Sequence, residues 1–324
     1  MKRIVAGALA VLGLFAFAAP AGADTYPSRT ITIIVPYPPG GPTDETARVV
    51  AQSLSQILKQ NVVIENVTGG GTIIATNKVA KSTPDGYTLL LHNLQITANV
   101  TLYKNLPFDT EKDLTPVIMI NRNPLILVGR KTLAANTLAE LIAEMKKQQM
   151  KAAIPGYGAT GHLTTTLLAQ ELKVKLDQIP YRGAAPALND LLGGHVDLFI
   201  ATPQQIVQQV KAGKVKAFGI TAKQPLPELP KLESLVKVLG PKFNVVFWQG
   251  LFAPSATPKD VIEKLNAAMQ KTLSDPTIVK RWAAEGVSTF PENQRSLVAA
   301  AAFMKSEIGR WGEVIRDNNI HVNQ

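Results

Sequence analysis

Three glycine-rich segments carry the chemistry in this chain, and all three suit the capture of an anion better than the making or breaking of a bond. Gly156-Tyr-Gly158-Ala-Thr-Gly161 fits G-x-G-x-x-G between an apolar run and a helical pattern. A dinucleotide site would also need an acid at the end of the next strand, about 20 residues on. That strand ends Pro180-Tyr181-Arg182, with no acid. What survives is a glycine-rich turn at a helix start, where backbone N–H groups and the positive end of the helix dipole face outward. Pro38-Pro39-Gly40-Gly41-Pro42-Thr43-Asp44 is built alike. Its glycines allow close backbone approach and its prolines stiffen the loop. Gly69-Gly70-Gly71-Thr72 repeats the design but lacks the lysine of a phosphate-binding P-loop.

No catalytic set accompanies these loops. His92, His162, His195 and His321 have no metal-ligand spacing, there is no G-x-S-x-G elbow, and there is no cysteine. Asp44, Asp190 and Asp197 read as helix caps or helix-end partners, and His162 as a hydrogen-bonding residue at a helix start. We therefore expect a binding protein without cofactor or metal. An exported α/β enzyme and a sensing module without a transporter of its own stand as alternatives.

The loops need a frame. Apolar β-branched runs alternate with helical spacing: strands at 31–35, 62–67 and 88–91, helices at 43–58 and 72–82, which argues for a mainly parallel α/β sheet. A second series follows, with helices at 137–149, 162–172, 185–192 and 203–212 and strands at 152–154, 178–181, 196–201 and 217–221. A strand at 245–252 then leads to helices at 259–273, 277–285 and 295–317, expected to pack back on the first lobe. Crossings near 121–128 and 220–245 make a two-strand hinge with a cleft between α/β lobes. The expected division is residues 24–124 plus 225–324 for lobe 1 and residues 125–224 for lobe 2.

Residues 1–23 read as a signal peptide. Lys2 and Arg3 precede an uncharged run from Ile4 to Ala19, and Ala21-Gly22-Ala23 supplies a cleavage site. The absence of cysteine points to a bacterial periplasm rather than a disulfide-bearing secreted protein. The formal charge of +10 falls to +8 once Lys2 and Arg3 are removed with no acid. That favours anionic ligands, but the basic residues are spread, so no nucleic-acid partner is expected.

These pieces, in their order and spacing, resemble the Bug family, the extracytoplasmic solute receptors of tripartite tricarboxylate transporters. The resemblance runs through Tyr26 to Thr32, the Pro38–Asp44 loop, Pro84-Asp-Gly-Tyr-Thr-Leu89, Leu106 to Asp109 and Lys112 to Val117. It continues with Gly156 to Leu163, Pro180-Tyr-Arg-Gly183, Ala187 to Asp197, and Trp248 to Pro254 with Thr257-Pro258. It implies a type II periplasmic-binding-protein fold that closes over a small carboxylate, held by backbone amides and waters. The ligand could be a di- or tricarboxylate, an acidic amino acid or an aromatic acid. The implied partner is the membrane subunits of a tripartite tricarboxylate transporter, and the receptor is expected to act as a periplasmic monomer. By matching position, lobe 1 would contribute Tyr37, Pro39, Gly40, Gly41, Pro42, Thr43, Asp44, Gly70, Gly71, Thr72, Asn93 and Gln95. Lobe 2 would contribute Gly158, Ala159, Thr160, Gly161, His162, Tyr181, Arg182, Gly183, Ala184 and Thr202. The chain departs from the family's habit at Asn93-Leu94-Gln95, where a small hydroxyl residue is common, and at Ala159, where serine is.

Overall fold

The computed structural model describes residues 26–322, so the expected signal peptide, with cleavage near Ala23, lies outside the described residues. Its elements run β1 (Ile31–Val35), α1 (Pro42–Leu58), β2 (Val62–Asn66), α2 (Ile73–Ala80), β3 (Thr88–Asn93), α3 (Gln95–Leu102) and β4 (Leu114–Pro124). Then come β5 (Ile126–Arg130), α4 (Leu138–Lys147), β6 (Met150–Ile154), α5 (Thr160–Leu172), β7 (Leu176–Pro180), α6 (Ala184–Gly193), β8 (Leu198–Ala201), α7 (Pro203–Lys211) and β9 (Val215–Ile220). The chain closes with β10 (Glu233–Ser234), α8 (Leu235–Leu239), β11 (Val246–Pro254), α9 (Lys259–Ser274), α10 (Pro276–Ala284), β12 (Ser288–Thr289) and α11 (Leu297–Asp317).

Two six-stranded sheets result, ordered β12-β4-β11-β3-β1-β2 and β10-β9-β5-β8-β6-β7. They share one plan. In each, the strand arriving from the other lobe inserts next to the third strand and runs against its neighbours: β11 between β3 and β4, β5 between β8 and β9. The remaining pairings among β1, β2, β3 and among β6, β7, β8 are parallel. Parallel strands with helices on both faces must be apolar on both sides. Side-chain alternation in β1 does this: Ile31, Ile33 and Val35 pack with α1 and α9, while Ile34 faces the opposite cluster with Leu90 and Trp248.

The lobes join where β4 passes into β5 and where the chain returns into β11. Thr221 staples both crossings: its hydroxyl accepts the Leu125 N–H at 2.7 Å and donates to the Val245 carbonyl at 2.6 Å. The return comes later than expected. Residues 225–244 were assigned to lobe 1, but β10 pairs with β9 in the second sheet, and Leu235 fills the space that a Cβ on Gly219 would occupy. The three prolines of 225–230 mark a loop within the second lobe, not its boundary.

The C-terminal helices do pack on the first sheet. The buried carboxylate of Glu307 on α11 accepts the indole N–H groups of Trp248 at 2.8 Å and Trp311 at 3.1 Å, tying α11 to β11. Among the described residues no helix is long and apolar enough to cross a membrane.

Candidate functional site

Four helices begin at the cleft, and in none does a side chain cap the start. Their N-cap residues are Gly41 for α1, Ala159 for α5, Gly183 for α6 and Thr202 for α7. Of the other seven helices among the described residues, four have capped starts: Thr137 accepts from the Glu140 N–H in α4, Ser234 from Lys237 in α8, Asp275 from Thr277 in α10, and Ser296 from Ala299 in α11, while α2, α3 and α9 have none. First-turn N–H groups have no partner within their own helix. At the cleft, these donors and the four positive dipole ends remain available to a bound anion.

The α1 start is shaped from behind. Asp44 is buried, and its carboxylate accepts the Gly40 N–H at 3.0 Å, two bonds from Arg48 at 2.9 and 3.0 Å, and the Asn66 amide at 2.9 Å. Burial alone would raise its pKa; the hydrogen bonds from Arg48, Gly40 and Asn66 outweigh that and hold it below the ordinary carboxylate range. Asp44 thus braces the Pro38–Gly41 loop and does not line the cavity.

In the second lobe, His162 lies one turn into α5, and its Nδ1 accepts the Gly158 N–H at 3.1 Å. Burial pushes its pKa down to about 4, so it is neutral, a fixed acceptor that shapes the turn. Asp190 and Asp197 are equally committed. Asp190 accepts the Tyr181 hydroxyl at 2.5 Å, while Asp197 binds Arg130 and the Lys151 N–H, each at 2.8 Å.

The four helix starts border a cavity whose free volume is about 50 Å³. Its wall includes Tyr37, Gly41, Pro42, Thr43 and Asn93 from the first lobe and Ala159, Thr160, Gly161, Gly183, Ala184 and Thr202 from the second. No charged side chain lines it, and Leu125, Pro155, Phe199, Ile200 and Phe247 make much of the remainder apolar. The polar groups divide by lobe. Thr43, Asn93 and Tyr37 satisfy one another, the Asn93 amide donating to Thr43 Oγ1 at 3.1 Å and the Tyr37 hydroxyl donating toward Asn93 Oδ1 at 2.9 Å. By contrast, Thr160 Oγ1, Thr202 Oγ1 and Gln205 Oε1 are buried without a hydrogen-bond partner. Unsatisfied buried polar atoms are uncommon and costly, and here they sit beside helix starts that would meet an anion.

The lobes touch around this cavity. A Cβ on Gly183 would come within 3.0 Å of Pro38 Cδ, and one on Gly286 within 2.8 Å of Pro203. Gly158, at φ 78°, brings its loop so close to α3 that a Cβ would lie 2.9 Å from Leu102. Its place is therefore an inter-lobe contact, not the cavity wall.

Gly70, Gly71, Thr72, Gln95, Tyr181 and Arg182 line a second, outer groove instead. The Gly69–Thr72 loop was expected to offer amides to an anion. All four of its residues have positive φ, and this conformation turns the Gly71 carbonyl inward, where Asn99 and Gln95 donate to it at 2.8 and 3.2 Å. Tyr157 and Tyr181 line the groove only, whereas Tyr37 borders both spaces. Pro39, Gly40, Asp44, Gly158 and His162 line neither.

The sequence reading missed Leu125, Pro155, Ala185, Pro186, Phe199, Gln205 and Phe247 in the cavity wall. Pro186 and Gln205 were within reach, since each lies in the first turn of a helix whose start was already a candidate. Phe247 and Leu125 were not, because they reach the cavity only through the hinge.

The model of the tripartite tricarboxylate transporter family receptor matches residues 46–320. The chain is 35% identical over 320 residues to BugT of Bordetella pertussis, covering 95% of this chain and 96% of BugT. The solved periplasmic binding protein BugD superposes with a TM-score of 0.88 at 35% identity, covering 91% of this chain and 99% of that one. MatC from Rhodopseudomonas palustris, solved with bound malate, gives 0.85 at 34% identity, covering 90% of this chain and all (100%) of that one. The two-lobed α/β architecture is thus that of the periplasmic binding proteins.

Proposed function

The chain belongs to the family of receptors of tripartite tricarboxylate transporters, and from that premise we propose that it captures a small carboxylate in the periplasm by lobe closure. It then hands the ligand to the membrane subunits of such a transporter. Four uncapped helix starts, one from the first lobe and three from the second, meet at a cavity that no charged side chain lines; this observation carries the reading.

Each helix start is equivalent to roughly half a positive charge. Four together are worth roughly two elementary charges, the complement of a dianion. A short dicarboxylate of the kind bound by the malate-containing neighbour fits that balance. Its carboxylates would accept backbone N–H groups and the hydroxyls of Thr160 and Thr202, and the apolar wall would cover the carbon skeleton. Because the donors come from both lobes, the ligand gains most of its contacts only in the closed state. That differential affinity is what drives closure.

No acid, base or activated nucleophile lines the cavity, so we read the protein as a receptor and not an enzyme. It would be exported with residues 1–23 removed and would act as a monomer.

The test is a thermal-shift and calorimetric screen of ligand-stripped protein, with removal verified by mass spectrometry. The panel spans aliphatic mono-, di- and tricarboxylates, acidic amino acids and aromatic acids. Saturation at about 100 times the dissociation constant should add about 2.7 kcal/mol of stability. Shifts with short dicarboxylates are the expected result. An unshifted transition across the whole panel would remove the carboxylate reading.

A further inference from the structure

The small cavity and the outer groove, about 50 and 760 Å³ in volume, lie against one another. Tyr37 and Pro38 from the first lobe and Pro155 and Gly183 from the second line both, so these four residues form the partition. Asn93 faces only the cavity and Gln95 only the groove. The Tyr37 hydroxyl lies 2.9 Å from both Asn93 Oδ1 and Gln95 Oε1 and can donate to either. Gln95 then crosses the cleft, its Nε2 donating to the Tyr157 carbonyl at 2.9 Å and to the Gly71 carbonyl at 3.2 Å. Gln95 is 2% exposed, and every polar capacity of its side chain is spent on this wall.

Resting on the receptor reading above, we propose that Gln95 sets the longest ligand this protein accepts. It does so by holding Tyr37 in place as the partition and by sealing the seam between the lobes at Tyr157. Gln95 does not line the cavity, so it acts as a positioning residue rather than as a ligand contact. A short dicarboxylate is enclosed on one side of the wall. A longer one has to displace Tyr37, break the Gln95 bonds to Tyr157 and Gly71, and hold the lobes apart.

Shortening this side chain removes one of the hydroxyl's two acceptors, leaving Asn93 Oδ1 at 2.9 Å, and removes the bond across the cleft. The Gly71 carbonyl keeps the Asn99 amide at 2.8 Å, so the glycine loop retains a partner. Tyr37 is then held by Asn93 alone, and a longer ligand can turn it into the space that Gln95 vacates and join the two spaces.

The experiment is calorimetric titration of wild type, Gln95→Ala and Gln95→Ser with succinate, glutarate, adipate, suberate and sebacate. Circular dichroism and thermal unfolding establish that each variant is folded. Wild type should bind succinate or glutarate and discriminate against suberate and sebacate. In either folded variant, the affinity ratio of suberate to succinate should rise at least tenfold. An unchanged ratio in both folded variants overturns the proposal, as does tight binding of sebacate by wild type. If wild type binds none of the series, the short-dicarboxylate reading falls and the proposal with it, an outcome separate from binding with an unchanged length preference.

Discussion

The carboxylate of Asp44 accepts the backbone N–H of Gly40 at 3.0 Å, and by this bond a side chain outside the cavity fixes the loop that borders it. The same carboxylate holds Arg48 and Asn66, so its loss would release three partners at once. We expect Asp44→Ala to cost about 1–3 kcal/mol of stability and to weaken ligand binding at least tenfold. Asp44→Asn should fall between the two. Chemical unfolding and calorimetry read both effects. Because the folded pKa is depressed, this contribution is present above the ordinary carboxylate range, near pH 4, and is lost as pH falls through the lower folded value.

Thr160 and Thr202 should show stability and binding moving in opposite directions. Each hydroxyl is buried and has no hydrogen-bond partner within the protein. Replacing either with valine removes that desolvated group and should leave the free protein unchanged or up to about 1 kcal/mol more stable. The same substitutions should lower carboxylate affinity by about tenfold, the loss of one hydrogen bond to a charged group. Equal binding by Thr160→Val, Thr202→Val and wild type would show that neither hydroxyl meets the ligand.

Gly161 and Gly41 differ despite their similar settings. A Cβ on Gly161 would sit 2.7 Å from the Ile200 carbonyl oxygen, which is backbone and cannot swing away. Gly161→Ala should therefore displace the start of α5, costing about 1–3 kcal/mol and most of the binding. A Cβ on Gly41 meets only the Pro38 oxygen at 3.9 Å, an ordinary contact. Gly41→Ala should fold like wild type and lose affinity only by narrowing the cavity. Paired melting curves and titrations separate the two outcomes.

In mild acid the two buried histidines should destabilise the protein, opposed by Glu45, whose carboxyl burial pushes up to about 7. Burial lowers the pKa of His92 to about 3 and of His162 to about 4, whereas an unfolded histidine titrates near about 6.5. The stabilising effect is complete above about pH 6.5 and is lost progressively toward about pH 4, as the unfolded chain takes up protons that the folded chain refuses. Denaturation midpoints should fall most steeply below about pH 4.5, where the unfolded glutamate value is passed and the gain from Glu45 is complete. His162→Asn, which keeps an acceptor near the Gly158 N–H, should make the decline shallower.

Much of the frame was legible from local pattern. β1 and α1 announce themselves by β-branched and helical spacing, with Pro42 at the first helical position. α3 did not. Its Gln-Ile-Thr-Ala-Asn-Val-Thr-Leu sequence is rich in weak helix formers, and it is held by packing against α11 and the glycine loop. The two-residue strands β10 and β12 exist only because β9 and β4 lie alongside them, which no local signal could report.

By itself, the sequence determined that three stiff glycine loops follow strands and precede helices, and that no acid-base or metal set accompanies them. It also determined that two α/β series are joined by two crossings. These are properties of neighbours along the chain: backbone freedom at glycine, fixed φ at proline, and the period of apolar residues. The tertiary structure decided which loops meet. It sent the Pro38–Thr43 loop and the starts of α5, α6 and α7 to one cavity, and the Gly69–Thr72 loop to the groove outside. It turned Asp44 and His162 into braces and tied Gln95 to Tyr37 and Tyr157. Such roles depend on burial and on hydrogen-bond partners that are mostly distant in sequence, as when Gln95 meets Tyr157, 62 residues away, only because two separately folded lobes close against each other.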